Sequence, residues 1–214
     1  GLSVGRGASN QSNNNAYGYA ALGSNTTGNY NNAFGFQALT ANTTGQQNAA
    51  FGEYVIPKNT TGNYNVGFGK MALLNNLSGD GNVGIGINSL QTNTIGTYNT
   101  GIGYNTNVGS NNLTNATAIG YNAKVASSNT IQLGSSAVTA VITSGKVVVG
   151  ASSAASSSAV LEASSTTQGF LPPRMTTTQK NAIATPASGL IVYDTTLGKL
   201  CVRGAAAWET ITSI

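Results

Sequence analysis

A large apolar residue followed by glycine recurs every 17 residues along most of this chain, without insertion or deletion over seven copies. The glycines of these pairs are Gly18, Gly35, Gly52, Gly69, Gly86, Gly103 and Gly120. The flanking intervals are shorter, 13 residues from Gly5 and 14 residues to Gly134. A fixed period in a polar, glycine-rich chain is typical of a solenoid, in which each repeat is one coil stacked on the next.

Positions that recur with this period form columns. The position four residues before the glycine holds asparagine in six of the seven copies, namely Asn14, Asn31, Asn48, Asn65, Asn82 and Asn99. The position two residues before the glycine holds only Ala or Gly, which indicates close approach of neighbouring backbones. In a stack of coils about 4.8 Å apart, the identical asparagines are expected to hydrogen-bond from amide to amide along the axis.

The residue directly before each glycine is aromatic in the first four copies and isoleucine in the last three. We expect this column to form an inward-facing core. Its members after Tyr17 are Phe34, Phe51, Phe68, Ile85, Ile102 and Ile119. A second glycine column, from Gly28 to Gly96, is expected to supply positive φ in the turns.

The repeat length decides the fold class. Seventeen residues are too few for a helix hairpin, and they suit a coil of two short strands and two turns. The sequence therefore predicts an all-β fold, built on a parallel β-solenoid of about eight coils with 17-residue spacing. Val4 and Gly5 are expected to belong to a shorter first coil.

The composition changes after the repeats, because 26 of the 27 asparagines precede residue 150. We predict a repeat solenoid over residues 1–134, a strand-rich neck with a Ser/Ala linker over 135–158, and a small β-rich module over 159–214. Asparagine is a turn residue in the repeats, so its loss indicates a different architecture in the last part.

Local patterns within the last part predict specific elements. Residues 189–194 and 199–203 are expected to form a hairpin, and residues 207–211 a third strand. Thr176 is expected to cap one or two helical turns that include Gln179. The only cysteine, Cys201, lies in an apolar stretch and is expected to be a buried strand residue.

The composition also argues against several kinds of function. Only 7% of the residues are charged, and the nine Lys and Arg residues form no cluster, which argues against nucleic-acid binding. The chain has no histidine and one cysteine, so we expect no metal and no cofactor. There is no apolar run long enough for membrane insertion. We expect no enzymatic activity, because the acidic residues lie in unrelated sequence contexts. The five are Glu53, Asp80, Glu162, Asp194 and Glu209.

One later coil carries a family resemblance. Ala118-Ile119-Gly120 with Ala123 resembles the head repeats of YadA-like trimeric autotransporter adhesins, and the resemblance extends over residues 1–135. The earlier coils differ, because they are longer and carry aromatic residues where aliphatic ones are usual. The resemblance implies a left-handed parallel β-roll with three chains packed around one axis. In such a trimer the column from Phe34 to Ile119 would form either the core or the packing between the chains. The spacing alone leaves a single-chain solenoid open.

A second resemblance lies in the C-terminal part. The run from Gly169 through the paired prolines and Gly189-Leu-Ile-Val-Tyr-Asp194 to Trp208 is similar to a module of phage tail fibres and large bacterial surface proteins. Together, the two resemblances imply an extracellular location, on a cell surface or a virion tail.

These features predict a non-enzymatic fibre protein that attaches to a cell surface. The alternative is a structural subunit of a filament assembled head to tail.

Because tyrosine and asparagine suit contacts with glycans or proteins, we expect a surface contact at Tyr30, Tyr64 and Tyr98, which share a turn column. Four sequons with the same period are expected in outward turns, either as glycosylation sites or as ordinary turn residues: Asn25, Asn42, Asn59 and Asn76. The sequence does not identify the receptor or the anchored end.

Overall fold

The structure is a computed structural model. It describes residues 2–8, 13–138, 147–149, 161–163, 165, 167 and 169–211. The contacts divide the chain into two compact units, Gly1–Val141 and Ile142–Ile214. Residues 139–146 and 150–158 of the predicted neck and Ser/Ala linker lie outside the described residues, so the three-part division stays a prediction.

The first unit is a parallel β-solenoid. Its strands are β1 (Leu2–Gly5), β2 (Asn15–Tyr19), β3 (Asn32–Phe34), β4 (Ala49–Phe51), β5 (Val66–Phe68), β6 (Val83–Ile85), β7 (Thr100–Ile102), β8 (Asn107–Val108), β9 (Ala116–Ile119), β10 (Lys124–Val125) and β11 (Thr130–Leu133). One nine-stranded sheet runs in the order β1-β2-β3-β4-β5-β6-β7-β9-β11, and every pairing from β2 onward is parallel. From β2 to β9 each pairing joins residues 17 apart, as Phe34 with Phe51. The predicted solenoid is therefore confirmed.

Two details of the coils differ from the prediction. β1 pairs antiparallel with β2, with Val4 opposite Tyr17, so the expected short first coil is instead a strand that runs against the stack. Within residues 13–138, a second strand in the coil occurs only as β8 and β10, which pair with each other in the last coils. In the earlier coils the opposite side is a stacked turn, because its residues take positive φ rather than β conformation.

The core lies between the Ala/Gly column and a column of leucine and isoleucine from the opposite side of each coil. Ala33 and Ala50 are fully buried, and the opposing column is fully buried at Leu22, Leu39, Ile56, Leu73 and Leu90. These five residues take φ of 48° to 53°. That conformation costs roughly 1–2 kcal/mol per residue, and burial of the side chain, at about 1.5–3 kcal/mol, outweighs it.

The aromatic and isoleucine column lies on the outer face of the same sheet. Phe34, Phe51 and Ile85 remain 37–39% exposed, and Phe68 is 59% exposed. The expectation of an inward-facing core is therefore wrong for the single chain. The physical reason is the narrow interior: the opposing leucine side chains already fill it, so only Ala or Gly fits at the inward position of the strand. The packing of this column between chains stays a prediction.

Stacked asparagines line the interior along the axis. The Nδ2 groups of Asn48, Asn65 and Asn82 donate to Oδ1 of the asparagine 17 residues earlier, at 3.1 to 3.2 Å. Each Nδ2 also donates to a glycine carbonyl at 2.8 to 2.9 Å, and each Oδ1 accepts the backbone N–H of the next asparagine in the column. These bonds provide partners for backbone groups that are buried in the turns.

A second asparagine column, which the sequence analysis assigned to outward turns, is also buried. Asn42, Asn59, Asn76 and Asn93 are fully buried, and their Nδ2 groups donate to the preceding member of the column at 2.8 to 3.1 Å. The sequon asparagines therefore lie inside the solenoid, with their amide groups hydrogen-bonded between coils. The outward-turn prediction is wrong, because the turn folds this side chain back onto the carbonyl three residues later.

The glycines of the second column allow close packing between neighbouring coils and do not take positive φ. Gly45 lies outside the left-handed region, and a Cβ placed there would overlap Asn42 Oδ1 and lie 2.5 Å from the carbonyl oxygen of Gly62. The expected role in turn conformation is therefore wrong for this column. Positive φ occurs instead at the first glycine column, where it ranges from 108° to 140°.

The described residues of the second unit form two small sheets and one short helix. Its elements are β12 (Val147–Val149), β13 (Leu161–Ala163), β14 (Arg174–Met175), α1 (Thr177–Asn181), β15 (Ile191–Asp194), β16 (Lys199–Arg203) and β17 (Trp208–Thr210). The sheets run β12-β13 and β14-β15-β16-β17. The predicted hairpin and third strand are confirmed, and Thr176 and Gln179 form a capping box at the start of α1.

Candidate functional site

The outer face of the long sheet carries a continuous apolar stripe, here called the sheet face. Its members occupy successive strands and are 37–59% exposed: Tyr17, Phe34, Phe51, Phe68, Ile85, Ile102, Ile119 and Leu133. The rings of Phe34 and Phe51 stack at a centroid distance of 5.1 Å. Exposed apolar surfaces of this extent mark interaction sites in soluble proteins.

The neighbouring column on the same side of the sheet extends this stripe. Tyr19 and Phe36 stack at 5.1 Å, and Tyr104 and Tyr121 stack at 5.7 Å. The middle of the column is charged instead, since Lys70 Nζ lies 3.1 Å from Glu53 Oε2 in an exposed ion pair. The side of the solenoid that carries the sheet face is therefore mainly apolar, with one compensated pair of charges.

The three tyrosines predicted as surface contacts lie at one corner of the solenoid, here called the tyrosine corner. Tyr30, Tyr64 and Tyr98 are 54%, 60% and 65% exposed. All three take positive φ, between 57° and 59°. Gln47, Gly81 and Asn115 occupy the same column in the intervening and following coils. The structure thus brings the three rings onto one line along the stack, while their role in binding stays a prediction.

The acidic residues are dispersed. Asp80 accepts hydrogen bonds from Asn63 at the tyrosine corner, Asp194 is buried in the second unit, and Glu209 is exposed on β17. Among the described residues, no three His, Cys, Asp or Glu side chains are placed to hold a metal ion. Within the same part of the chain, no helix has the length and apolar character needed to cross a membrane.

A buried ion pair, which the sequence analysis did not identify, organises the second unit. Lys180 Nζ on α1 lies 2.8 Å from Asp194 Oδ2 at the end of β15, and both side chains are almost fully buried. Thr177 Oγ1 and the backbone N–H groups of Thr196 and Leu197 also donate to this carboxylate, at 2.8 to 3.1 Å. The pair fixes the helix to the hairpin, and no sequence signal connects its two members.

The surroundings of the pair shift the pKa values of both groups. Burial alone would raise the pKa of Asp194, but the hydrogen bonds from Lys180, Thr177, Leu197 and Thr196 outweigh burial and lower it to about 2. The hydrogen bond to Asp194 raises the pKa of Lys180 above 10.5, against the opposing effect of its burial. Cys201 Sγ, 3.5 Å from Lys180 Nζ, raises it further.

These shifts predict how the stability of the second unit depends on pH. Asp194 binds a proton more weakly when folded than when unfolded, so its stabilising effect is present above about pH 4 and is lost as the pH falls toward 2. Lys180 stabilises the fold below about pH 10 and loses this effect above its raised pKa. We expect the melting temperature to fall at both extremes, as measured by circular dichroism across the pH range.

The variant Asp194→Asn tests this assignment. It leaves the Lys180 ammonium buried without its counter-ion, so we expect a fall in melting temperature of about 10 °C or more at pH 7. The variant should also lose most of the pH dependence between 4 and 2. Glu209→Gln, which changes an exposed acid in the same unit, is the control. An unchanged melting profile in Asp194→Asn would contradict the assignment.

Comparison with known proteins gives one match. Residues 149–213, 65 of the 214 residues, match the model of a family described as a phage tail like trimerisation region. The matched segment contains α1 and β14 to β17, and it supports the similarity of residues 169–208 to a phage-tail module. No curated protein and no solved structure matches this chain. The resemblance of residues 1–135 to YadA-like heads stays a prediction. The C-terminal part of the chain is similar to a phage tail like trimerisation region.

Proposed function

We propose that this chain is a non-enzymatic fibre protein that assembles as a parallel homotrimer and attaches a virion or a cell to a cell surface. The observation that carries the proposal is the sheet face, a stripe of eight large apolar side chains left exposed on a single chain. The occupants that fit this surface are two further copies of the chain. The match of residues 149–213 to a trimerisation region supports the same stoichiometry.

Threefold symmetry suits the geometry of the sheet face. In a parallel trimer with all three chains in the same register, each member of the stripe meets its own counterparts around the axis. Phe51 then packs with two other Phe51 side chains, and Ile102 with two other Ile102 side chains. The 17-residue period makes every coil present an equivalent position, so one symmetric arrangement buries the whole stripe.

The first strand favours a discrete fibre over the head-to-tail filament that the sequence left open. A filament that continues the parallel ladder of coils from one molecule to the next would need a parallel strand edge at each end. β1 instead covers the start of the stack in the antiparallel direction. A second molecule added in this way would therefore meet a strand of the wrong direction at this end.

The proposed attachment function is supported by the residue types on the solenoid surface, without an identified ligand. The solenoid surface is rich in Asn, Thr and Tyr, which form adaptable hydrogen bonds and stacking contacts. Three copies held on one rigid rod would also bind a repetitive cell surface with avidity. The proposed location is therefore extracellular, on a virion tail or a cell surface.

The mass of the purified chain in solution tests the assembly. We expect light scattering to give a single species of three chains, each of 21.5 kDa, over a wide range of protein concentration. A monomer would contradict the proposal, and long filaments seen by negative-stain microscopy would favour the structural polymer.

Crosslinking at single introduced cysteines tests whether the sheet face is the trimer contact. In the trimer the Phe68→Cys thiols of different chains lie close to the axis, so a short bifunctional maleimide should give covalent dimers on a denaturing gel. Leu77→Cys is the matched control, since Leu77 is also an exposed apolar residue, 40% exposed, but lies in a turn away from the sheet face. The native Cys201 is buried and should not react. Equal crosslinking of both variants, or none with Phe68→Cys, would contradict this contact.

A further inference from the structure

We propose that the tyrosine corner binds an extended, neutral β-1,4-linked glycan that lies along the solenoid axis, with one tyrosine ring under every second sugar. This inference rests on the attachment function proposed above and gives it a ligand class. The ligand chemistry is an uncharged chain of pyranose rings joined by equatorial 1,4-linkages, either a glucan or an N-acetylglucosamine polymer.

The spacing of the rings is the first argument. Tyr30, Tyr64 and Tyr98 lie in alternate coils, and adjacent coils are joined by parallel ladders. At the strand spacing of a sheet, two coils span about 9.5 Å. An extended β-1,4-linked chain repeats after two sugars over nearly the same length. Successive sugars in such a chain are turned by half a rotation, so every second sugar presents the same face to the next tyrosine.

The conformation of the tyrosines is the second argument. A bulky residue with positive φ is uncommon and strained. In the leucine column of the core, burial of the side chain offsets this strain, but Tyr64 and Tyr98 remain 60% and 65% exposed. Their backbones are held by hydrogen bonds to the preceding coil, with Tyr64 N–H donating to Gln46 O at 3.0 Å and Tyr98 N–H donating to Asp80 O at 2.9 Å. Gln47 and Gly81 of the same column also take positive φ, 56° and 65°, so the corner holds every residue of the column in one backbone conformation, which the three exposed rings share.

Gly81 shapes the surface between two of the rings. A Cβ at this position would lie 2.7 Å from Cδ1 of Tyr98, so the ring of Tyr98 lies directly over the glycine. A side chain at this position would displace the ring of Tyr98 from the glycine. The coil between Tyr64 and Tyr98 therefore contributes no side chain that would stand between two successive stacking sites.

Polar groups beside the rings suit sugar hydroxyls. Asp80 precedes Gly81, and its Oδ1 accepts the backbone N–H of Asn63 at 2.7 Å and Asn63 Nδ2 at 3.1 Å. Both bonds go to one oxygen, and no donor from the described residues is bonded to Oδ2, which leaves it available to a hydroxyl. The Asp80 carboxylate repels anionic ligands such as nucleic acids or sialylated glycans. An aromatic surface with adjacent hydrogen-bonding groups and no cationic residue favours a neutral glycan.

Calorimetry with the full chain tests the proposal, using cello- and N-acetylchito-oligosaccharides of two to seven sugars. Five sugars reach from the first ring to the third, so the affinity should rise up to the pentasaccharide and change little beyond it. Malto-oligosaccharides of the same length, whose α-1,4-linkages curve the chain, should bind much more weakly. The comparison of the two β-linked series distinguishes a glucan from an N-acetylglucosamine polymer as the ligand.

Substitutions in the tyrosine corner test which residues bind. Tyr64→Ala and Tyr98→Ala should each weaken binding of the pentasaccharide at least fivefold, whereas Tyr64→Phe keeps the stacking surface and should retain most of the affinity. Asn105→Ala is the control, since Asn105 is also exposed with positive φ but lies in a different column of the solenoid. Circular dichroism establishes that each variant is folded.

The outcomes separate this inference from the proposed assembly. If neither series binds, or if Asn105→Ala weakens binding as much as Tyr64→Ala, the glycan site is wrong, while a mass of three chains would leave the trimeric fibre standing. If the oligosaccharides bind with the expected length dependence to a monomeric chain, the glycan site stands and the assembly is wrong. Equal binding of α- and β-linked chains would overturn the spacing argument.

Discussion

Replacing Gly35 with alanine should destabilise the solenoid by about 3–6 kcal/mol, which is enough to unfold a marginally stable chain. Gly35 has φ of 139°, and a Cβ there would overlap the carbonyl oxygen of Gly52 and lie 2.6 Å from its carbonyl carbon. Both obstacles are backbone, so no change of rotamer relieves them. The ladder between adjacent coils would have to open, including the 2.8 Å hydrogen bond from Gly52 N–H to Phe34 O. Urea denaturation followed by circular dichroism measures the loss.

Gly5→Ala is the control that separates the two causes. Gly5 has a similar φ of 130°, but nothing lies within 4 Å of a Cβ placed on it. Its substitution should therefore cost only the conformational strain, about 1–3 kcal/mol. If Gly5→Ala and Gly35→Ala lower the stability equally, close packing of the coils is not what requires glycine in this column.

Replacing Asn65 with leucine should destabilise the chain by about 2–4 kcal/mol, although leucine has a similar shape. The change leaves the backbone N–H of Asn82 without its 3.0 Å acceptor, and it removes one of the two donors to the carbonyl of Gly79, which keeps the 3.0 Å hydrogen bond from Asn76 Nδ2. Because the Asn82 N–H lies inside the solenoid, water does not replace its acceptor, and the unpaired group costs about 1–3 kcal/mol, to which the lost bond to Gly79 adds about 1 kcal/mol. The shift in the denaturation midpoint at constant slope measures this effect.

Asn32→Leu is the matched control for the asparagine ladder. Asn32 lies on the outer side of the sheet, where it accepts a hydrogen bond from Asn15, and water can take over that bond. Its column already holds Ala49, Val66 and Val83, so we expect a change within about 0.5 kcal/mol. A similar loss in both variants would show that the ladder contributes nothing beyond ordinary turn preference.

The repeat pattern determined much of this protein before its structure was known. An uninterrupted 17-residue period allows only a stack of equivalent coils, because any other fold would place equivalent residues in unequal surroundings. Local chemistry likewise determined the cap at Thr176 and the hairpin that ends at Arg203. These features depend on interactions within one coil or a few neighbouring residues, which a sequence displays directly.

The tertiary structure alone decided which side of the strand faces inward. Phe51 and Ala50 are both apolar, so alternation along the strand does not distinguish the two sides. The Leu39 and Ile56 side chains reach across from the opposite turn and leave space only for alanine, so Phe51 lies outside. The direction of a side chain in such a coil depends on the volume that another part of the chain has already filled.

Long-range contacts decided the remaining features. Asn42 matches a glycosylation sequon in the sequence, yet the turn places it among the carbonyls of the interior, where its amide is hydrogen-bonded. Lys180 and Asp194 form a buried pair only because α1 packs beside the hairpin. The sequence thus determined the repeat and its columns, whereas the assignment of each column to the interior or the surface required the whole coil. The physical reason is that burial depends on packing between residues distant in sequence, and a period contains no information about that packing.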